Sequence, residues 1–239
     1  MGTPTTDGTR ESRAERRART EREILALGRT HLASDGAAAL SLRAIARDLG
    51  MVSSAIYRYV ESRDELLTRL LVEAYDDLAD TVTSAVDAVP PTDHRERLRA
   101  LASSFRDWAH RDPARYALLY GSPVPGYHAP PERTVGPGTR VIALALAQID
   151  AAAHSGALVE PDASYPRHLA TGYDELRAAY GLHLSDAQVT RTFVWWAGLL
   201  GVVSQDVFDG YGGSFTDIND ALFDAQVDVL IDLLVSRGR

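Results

Sequence analysis

Cysteine is absent from the 239 residues, which excludes disulfide frameworks, thiolate metal sites and cysteine nucleophiles and suits a reducing compartment. Lysine is absent as well: all 25 basic side chains are arginine. Genome composition alone produces such a bias, although arginine does suit bidentate contact with phosphate and guanine. No apolar run approaches the length of a membrane span, and the first twenty residues, MGTPTTDGTRESRAERRART, hold no apolar core for a signal peptide. A cytoplasmic chain with no membrane partner is expected. The seven histidines are scattered without an HExxH spacing and read as structural or surface residues. DGYGGS (209–214) follows no strand and precedes no phosphate-binding lysine, so it reads as an interhelical loop. With no nucleophile beside a base, no catalytic residue, cofactor or metal site is expected.

What is present is apolar residue at helical intervals. At 45% hydrophobic the chain can bury a sizeable core, as one domain or as a small domain followed by a larger one. Charge is uneven: residues 1–69 hold 12 Arg against 10 acids, and residues 70–239 hold 13 against 23. The first part is therefore at +2 and the second at −10, so only the first tolerates a polyanion. In the arginine-rich start, RESRAERRART, a solvated helix extension with Glu15 pairing to Arg19 and a DNA-tracking arm are equally compatible with the residues.

EREILALGRTHLASDG places Ile24, Leu25, Leu27 and Leu32 on one broad face, with Gly36 as a stop. SLRAIARDLG offers Ser41 as N-cap, Leu42, Ile45, Ala46 and Leu49 as a buried stripe, and Gly50 as the end. SSAIYRYV restarts with Ser53 as N-cap, turning Ile56 and Val60 inward while Ser54, Tyr57 and Arg58 point elsewhere. A helix of about 25 residues then runs to Pro90 and Pro91. Helical patterning resumes at 93–111, 113–121, 138–155, 166–181, 186–208 and 217–236, with 121–138 expected as a loop. No strand-period run stands out, so the fold class is all-α.

Two short helices around Gly50, the second opening on small polar residues, meet the requirement of helix-turn-helix DNA reading, because the helix tip must approach base edges. Tyr57 and Tyr59 can donate to phosphates while their rings pack on the domain. LRAIARDLGMVSSAIYRYVESRDELL, with Ile45, Ala46, Gly50, Ser53, Tyr57, Tyr59, Val60 and Leu66 in place, closely resembles the DNA-binding signature of the TetR family of transcriptional regulators. The resemblance implies an arm at 1–19, a three-helix DNA-binding domain at 20–66, and a larger helical-bundle domain at 67–239 for ligand binding and dimerisation. It implies DNA-facing positions for Ser41, Arg43, Ser53, Ser54, Tyr57, Arg58 and Tyr59. Arg63 stands where the family usually has a basic residue, commonly lysine, beside a phosphate.

RDWAHRDPARYALLYGSPVPGYHAP and FVWWAGLLGVVSQDVFDGYG resemble the family's WHG-type ligand-binding domain. Trp196 and Gly201 fit that pattern, whereas Leu200 stands where its histidine would be. Trp108, Tyr116, Tyr120, Tyr127, Trp195 and Trp196 are candidates for the wall of an effector cavity and equally candidates for core. Asp220, Asp224, Asp228 and Asp232 recur every four residues and read as the solvated face of the last helix. The resemblance further implies dimerisation through the last two helices, with Gly198, Gly201, Val227, Leu230 and Leu234 as interface candidates. The function implied is a ligand-responsive homodimeric repressor on a pseudo-palindromic double-stranded operator, released by a small, largely apolar effector. An activator on the same scaffold is the alternative; an enzyme or a helical adaptor in the second domain has no motif behind it.

Overall fold

The computed structural model describes residues 12–160, 167–212 and 218–236. Among them, all the longer regular elements are helices, and β pairing is confined to an isolated antiparallel bridge between Leu158 and Val235. The expected all-α class is what the chain adopts. It divides into two compact units, one reaching to Leu71 and including residues 123–129, the other made of Val72–Ser122 and the residues from Pro130 onward.

The first unit opens with α1 (Arg13–Asp35), whose N-terminus is closed by a reciprocal capping box: Ser12 Oγ accepts from Glu15 N–H and Glu15 accepts from Ser12 N–H. Such a box satisfies two orphan donors at once. Residues 13–19 are thus a helix extension, lined by the Arg17–Glu21 and Arg19–Glu23 ion pairs; residues 1–11 lie outside the described residues. Ile24, Gly28 and Leu32 form the buried stripe of α1, one face at a spacing of four. A 3-10 turn (Ala37–Ala39) leads to α2 (Leu42–Asp48), capped by Ser41, whose hydroxyl accepts from Ala44 N–H. Gly50, at φ 66°, makes the turn to α3 (Ser53–Ile56), a left-handed conformation that a side chain would strain.

Helix α3 differs from expectation. Val52 is the N-cap, without a side-chain bond, and Ser53 is the first helical residue. The α-helix closes after Ile56, and residues 57–59 continue as turns held by Tyr59 N–H and Val60 N–H, both donating to Ile56 O. Ile56 and Val60 still face inward, both fully buried with Ile45, Ala46, Leu66 and Leu67. Fully burying each such aliphatic side chain contributes about 1.5–3 kcal/mol.

Helix α4 (Arg63–Asp87) carries the chain from the first unit into the second, which continues with α5 (His94–Arg111), α6 (Pro113–Tyr120), α7 (Pro131–His154), a 3-10 turn (Arg167–Leu169), α8 (Ala170–Tyr180), α9 (Asp186–Val207) and α10 (Asn219–Asp232). Asp93 and Asp112 cap α5 and α6. Helix α5 packs against α7, α9 and α10, and Leu101, Phe105 and Trp108 on it are fully buried. The segment 121–138, expected as a loop, is helical from Pro131. Pro131 fits the first turn, where no N–H is needed, and Pro137 sits inside the helix between two glycines. Periodicity cannot see a helix whose first turns lack an apolar stripe.

The acidic stripe of α10 is a solvated face only in part: Asp220 and Asp224 are exposed, whereas Asp228 and Asp232 are half-buried. Asp232 receives Arg95 at 2.7 Å, Asp228 receives Arg99, and Asp220 receives Arg106 at 2.8 Å. Arginines one and then two turns apart on α5 therefore meet aspartates one and then two turns apart on α10, which offsets the like-charge repulsion along α10. Among the described residues no helix is long and apolar enough to cross a membrane.

Candidate nucleic-acid interface and effector pocket

In the first unit, burial alternates sharply around the α2–α3 turn. Ala55, Ile56 and Val60 are buried, whereas Arg43, Ser53, Ser54, Tyr57 and Arg58 are exposed. Tyr57 is 45% exposed, a large aromatic held out to solvent. Ser41 is half-buried and committed to its cap. Tyr59 is also half-buried, with the Arg17 guanidinium stacked over its ring at 5.5 Å, so a residue of the arginine-rich stretch is fixed against the unit by a cation–π contact.

His31 Nε2 and Asp48 Oδ2 lie 2.7 Å apart, tying α1 to α2. Arg63, expected beside a phosphate, donates from Nη2 to Ala37 O at 2.9 Å and Ala38 O at 3.1 Å. It clamps the 3-10 turn to the start of α4, and its side chain is 30% exposed. The family resemblance marked this position; the carbonyls it meets lie in a part of the sequence where no periodic signal points at it. Tyr127, expected near an effector, belongs to this unit and shares a 2.9 Å hydrogen bond with the buried Thr68.

The second unit sorts the remaining aromatic candidates. Phe105, which sequence reasoning passed over, is the hub: its ring centroid lies 6.1 Å from Tyr116, 5.5 Å from Tyr120 and 6.1 Å from Trp196. Tyr116 is fully buried and its hydroxyl is bonded to Ser204 Oγ at 2.7 Å. Tyr120 sits against Tyr116 and Tyr75, and burial, followed by those two neighbouring hydroxyls, pushes its pKa upward. Trp108 is fully buried, its indole N–H donating to Asp77 at 2.8 Å, where Arg115 also binds at 2.8 Å. Trp195 is buried in the core. Trp108, Tyr116 and Trp195 are therefore core side chains.

An apolar cavity of this unit lies between α7, α8 and α9. Ile142 and Leu146, Leu176 and Tyr180, and Phe193 and Trp196 line it, with Thr192 as a polar group. Its volume is about 50 Å³, small beside the ~300–1,000 Å³ of drug-sized sites. Of the aromatic candidates, Trp196 lines it. Its α8 wall carries no buried residue.

A buried charge cluster lies elsewhere in the same unit. Asp206, 7% exposed, accepts from Arg106 Nε at 2.5 Å and contacts His110 Nε2 at 2.6 Å. Burial alone would raise its pKa, but the hydrogen bonds from Arg106 and His110 outweigh burial and hold the carboxyl below its ordinary value.

The interface candidates separate too. Val227 and Leu234, at 2% exposure, are core residues of the chain itself. A Cβ on Gly198 would come within 2.5 Å of Leu230 Cδ2, so Gly198 and Leu230 serve the close approach of α9 and α10 within one chain. Gly201 faces open space. Val194 and Val229 are 52% and 62% exposed, and Val202, Ala225, Val229 and Leu230 line a shallow apolar depression. Sequence periodicity marked the apolar side of α10 but could not divide it between inward and outward stripes.

Residues 24–70 match the family of bacterial regulatory proteins described as the tetR family, and residues 98–230 match the family described as the Tetracyclin repressor-like C-terminal domain. The HTH-type transcriptional regulator Rv1816 of Mycobacterium tuberculosis is 47% identical over 225 residues, covering 94% of this chain and 96% of that protein. The HTH-type transcriptional regulator Mb1846 of Mycobacterium bovis matches to the same extent. Among solved structures, the regulatory protein SCO4313 superposes with a TM-score of 0.73 at 31% identity, covering 92% of this chain and 99% of that one. A protein of unknown function from Rhodococcus sp. RHA1 shares the fold, with a TM-score of 0.67 at 22% identity over 97% of this chain and 100% of that one.

Proposed function

This chain belongs to the TetR family of sequence-specific DNA-binding transcriptional regulators, and from that premise we propose that it is a homodimeric repressor whose second unit takes a small, largely apolar effector. The observation that carries the DNA assignment is the exposed set Arg43, Ser53, Ser54, Tyr57 and Arg58 on a pair of short helices whose inward residues Ile45, Ala46, Ala55, Ile56 and Val60 are buried. In this reading Arg43 and Ser54 read base edges, Tyr57 and Arg58 hold phosphate, and Ser41, Tyr59 and Arg63 shape the surface from behind. A regulator that meets operator DNA works in the cytoplasm.

The exposed stripe of Val194, Gly201 and Val229 supports dimerisation through α9 and α10, and a two-fold dimer reads inverted half-sites. The effector enters the cavity against Trp196, with Tyr180 and Thr192 as polar handles. Because α8 contributes no buried residue, its displacement is the least costly way to enlarge a cavity of this size. The WHG-type assignment rests on Trp196 and Gly201; with Leu200 at the histidine position, no imidazole contact with the effector forms there. The effector releases the operator only through its differential affinity for the non-binding conformation.

Operator pull-down from the native genome, followed by titration of apolar aromatic compounds under tryptophan fluorescence, tests the scheme. Effector affinity should fall in Trp196→Ala while operator binding without effector is retained. Effector release at unchanged potency in that variant would move the pocket elsewhere.

A further inference from the structure

The histidines are not all scattered once the chain is folded. Asp150 and His154 stand four residues apart near the end of α7, on one face of the helix. The turn after α8, set by Gly181 in a left-handed conformation, brings His183 to the same place. His183 main-chain N–H donates to Asp150 Oδ1 at 2.6 Å, which fixes the turn and leaves Asp150 Oδ2 facing both rings. His154 Nδ1 lies 3.3 Å and His183 Nδ1 3.5 Å from that oxygen. One potential ligand atom from each of the three residues falls within 4.8 Å of the other two.

These separations are long for hydrogen bonds. Among the described residues, His31–Asp48 and His110–Asp206 lie at 2.7 and 2.6 Å, the ordinary charge-assisted range, whereas His31–Asp35, at the same spacing of four as Asp150–His154, stands at 3.6 Å. What sets the Asp150 cluster apart is that two imidazoles face one carboxylate oxygen. Its separations do fit a shared cation: bonds of about 2.0–2.1 Å at the tetrahedral angle hold ligand atoms ~3.3–3.5 Å apart. The two rings meet edge to face, with centroids 4.6 Å apart and planes at 77°, so the imidazoles converge without stacking. His154 Nδ1 also lies 2.9 Å from Asp150 O, the place of a proton that a metal ion would displace. The depression they border is open, about 390 Å³, with Glu160 and Gln188 on its wall; Glu160 accepts from Ser185 Oγ at 3.0 Å.

We propose that Asp150, His154 and His183 bind a divalent transition-metal ion of the zinc class, with solvent or Glu160 completing the coordination. Two imidazoles and one carboxylate, without sulfur, select borderline ions over calcium or magnesium, which prefer all-oxygen shells. The ion would clamp the turn before α9 to the end of α7. Both helices line the effector cavity, so metal occupancy is positioned to stiffen two of its three walls.

The test uses the full-length, metal-stripped protein titrated with zinc chloride by calorimetry, and with cobalt(II) by visible absorption. One ion per chain is expected, with the absorption bands of four-coordinate cobalt. His183→Ala keeps the main-chain bond to Asp150 and should fold, as circular dichroism would verify; it should weaken zinc by more than the about 10–100-fold typical of losing an outer-shell partner. His154→Ala should do the same, while His128→Ala, an exposed histidine of the other unit, should bind as wild type. Failure to bind zinc stoichiometrically, or equal affinity in wild type and His183→Ala, overturns the assignment without touching the DNA-binding reading.

Discussion

The two units use arginine in opposite ways. In the first, Arg43 and Arg58 are held out to solvent around a small apolar core. In the second, Arg95, Arg99 and Arg106 reach across from α5 to aspartates of α9 and α10, and Arg115 reaches back to Asp77. A chain at −8 can still present cations to a polyanion when its acidic unit engages its own arginines internally and the small unit holds Arg43 and Arg58 out to solvent. Formal charge per segment is therefore a poor guide to binding; what matters is which guanidinium groups lack a carboxylate already in place.

The sharpest break in that comparison is at Asp206. Asp206→Ala leaves Arg106 short of its buried partner, and losing one member of such a pair costs about 3–5 kcal/mol; chemical denaturation should record it, with operator contacts of the first unit unaltered at temperatures where the variant is folded. The same carboxyl predicts a direction with pH. Its folded pKa lies below the unfolded value of about 3.9, so its contribution is complete above the unfolded value and disappears as pH falls through the folded one. Acid denaturation below about pH 4 should be shallower in Asp206→Asn, measured against the same variant at pH 7.

A smaller effect is expected at Gly198. Gly198→Val must push Leu230 aside and should lose about 1–3 kcal/mol, whereas Gly201→Ala meets open space and should gain about 0.5–1 kcal/mol of helix stability. Equal melting temperatures for the two would contradict the division of α9 into inward and outward stripes. Val229→Asp should yield folded monomers, read by sedimentation; a charge at Leu234 should instead unfold the bundle, because that side chain is core.

These differences also locate what the sequence could tell. Ile45, Ala46, Ile56 and Val60 were legible because their partners lie within a few turns and burial follows the helical period. The inward Gly198, the Arg95–Asp232 pair and the convergence of His154 with His183 were not, because each depends on helices brought together from distant parts of the chain. Arg63 shows the same limit at short range: its partners are main-chain carbonyls that no side-chain pattern reveals.

The smallest effects separate roles within the first unit. Tyr57→Phe removes a hydroxyl and should weaken all operator variants alike by about 0.5–1.5 kcal/mol, whereas Arg43→Ala should reorder them. A gel-shift series over single-base operator variants distinguishes the two, and reordering by Tyr57→Phe would reverse the assigned roles. Operator affinity should fall steeply with salt through Arg43, Arg58 and their dimer mates, with Arg63 adding little.

The central claim is that the α2–α3 surface of a two-fold dimer reads DNA. It is tested most directly by footprinting the protein on genomic fragments it retains, in wild type and in Ser54→Glu, which sets a negative charge at an exposed position of α3. The account predicts protection of an inverted repeat with half-sites about 34–36 Å apart, or in a wider register on deformed DNA, and no protection by Ser54→Glu at unchanged helix content. Undiminished protection by Ser54→Glu, or a single half-site bound by a monomer, would contradict it.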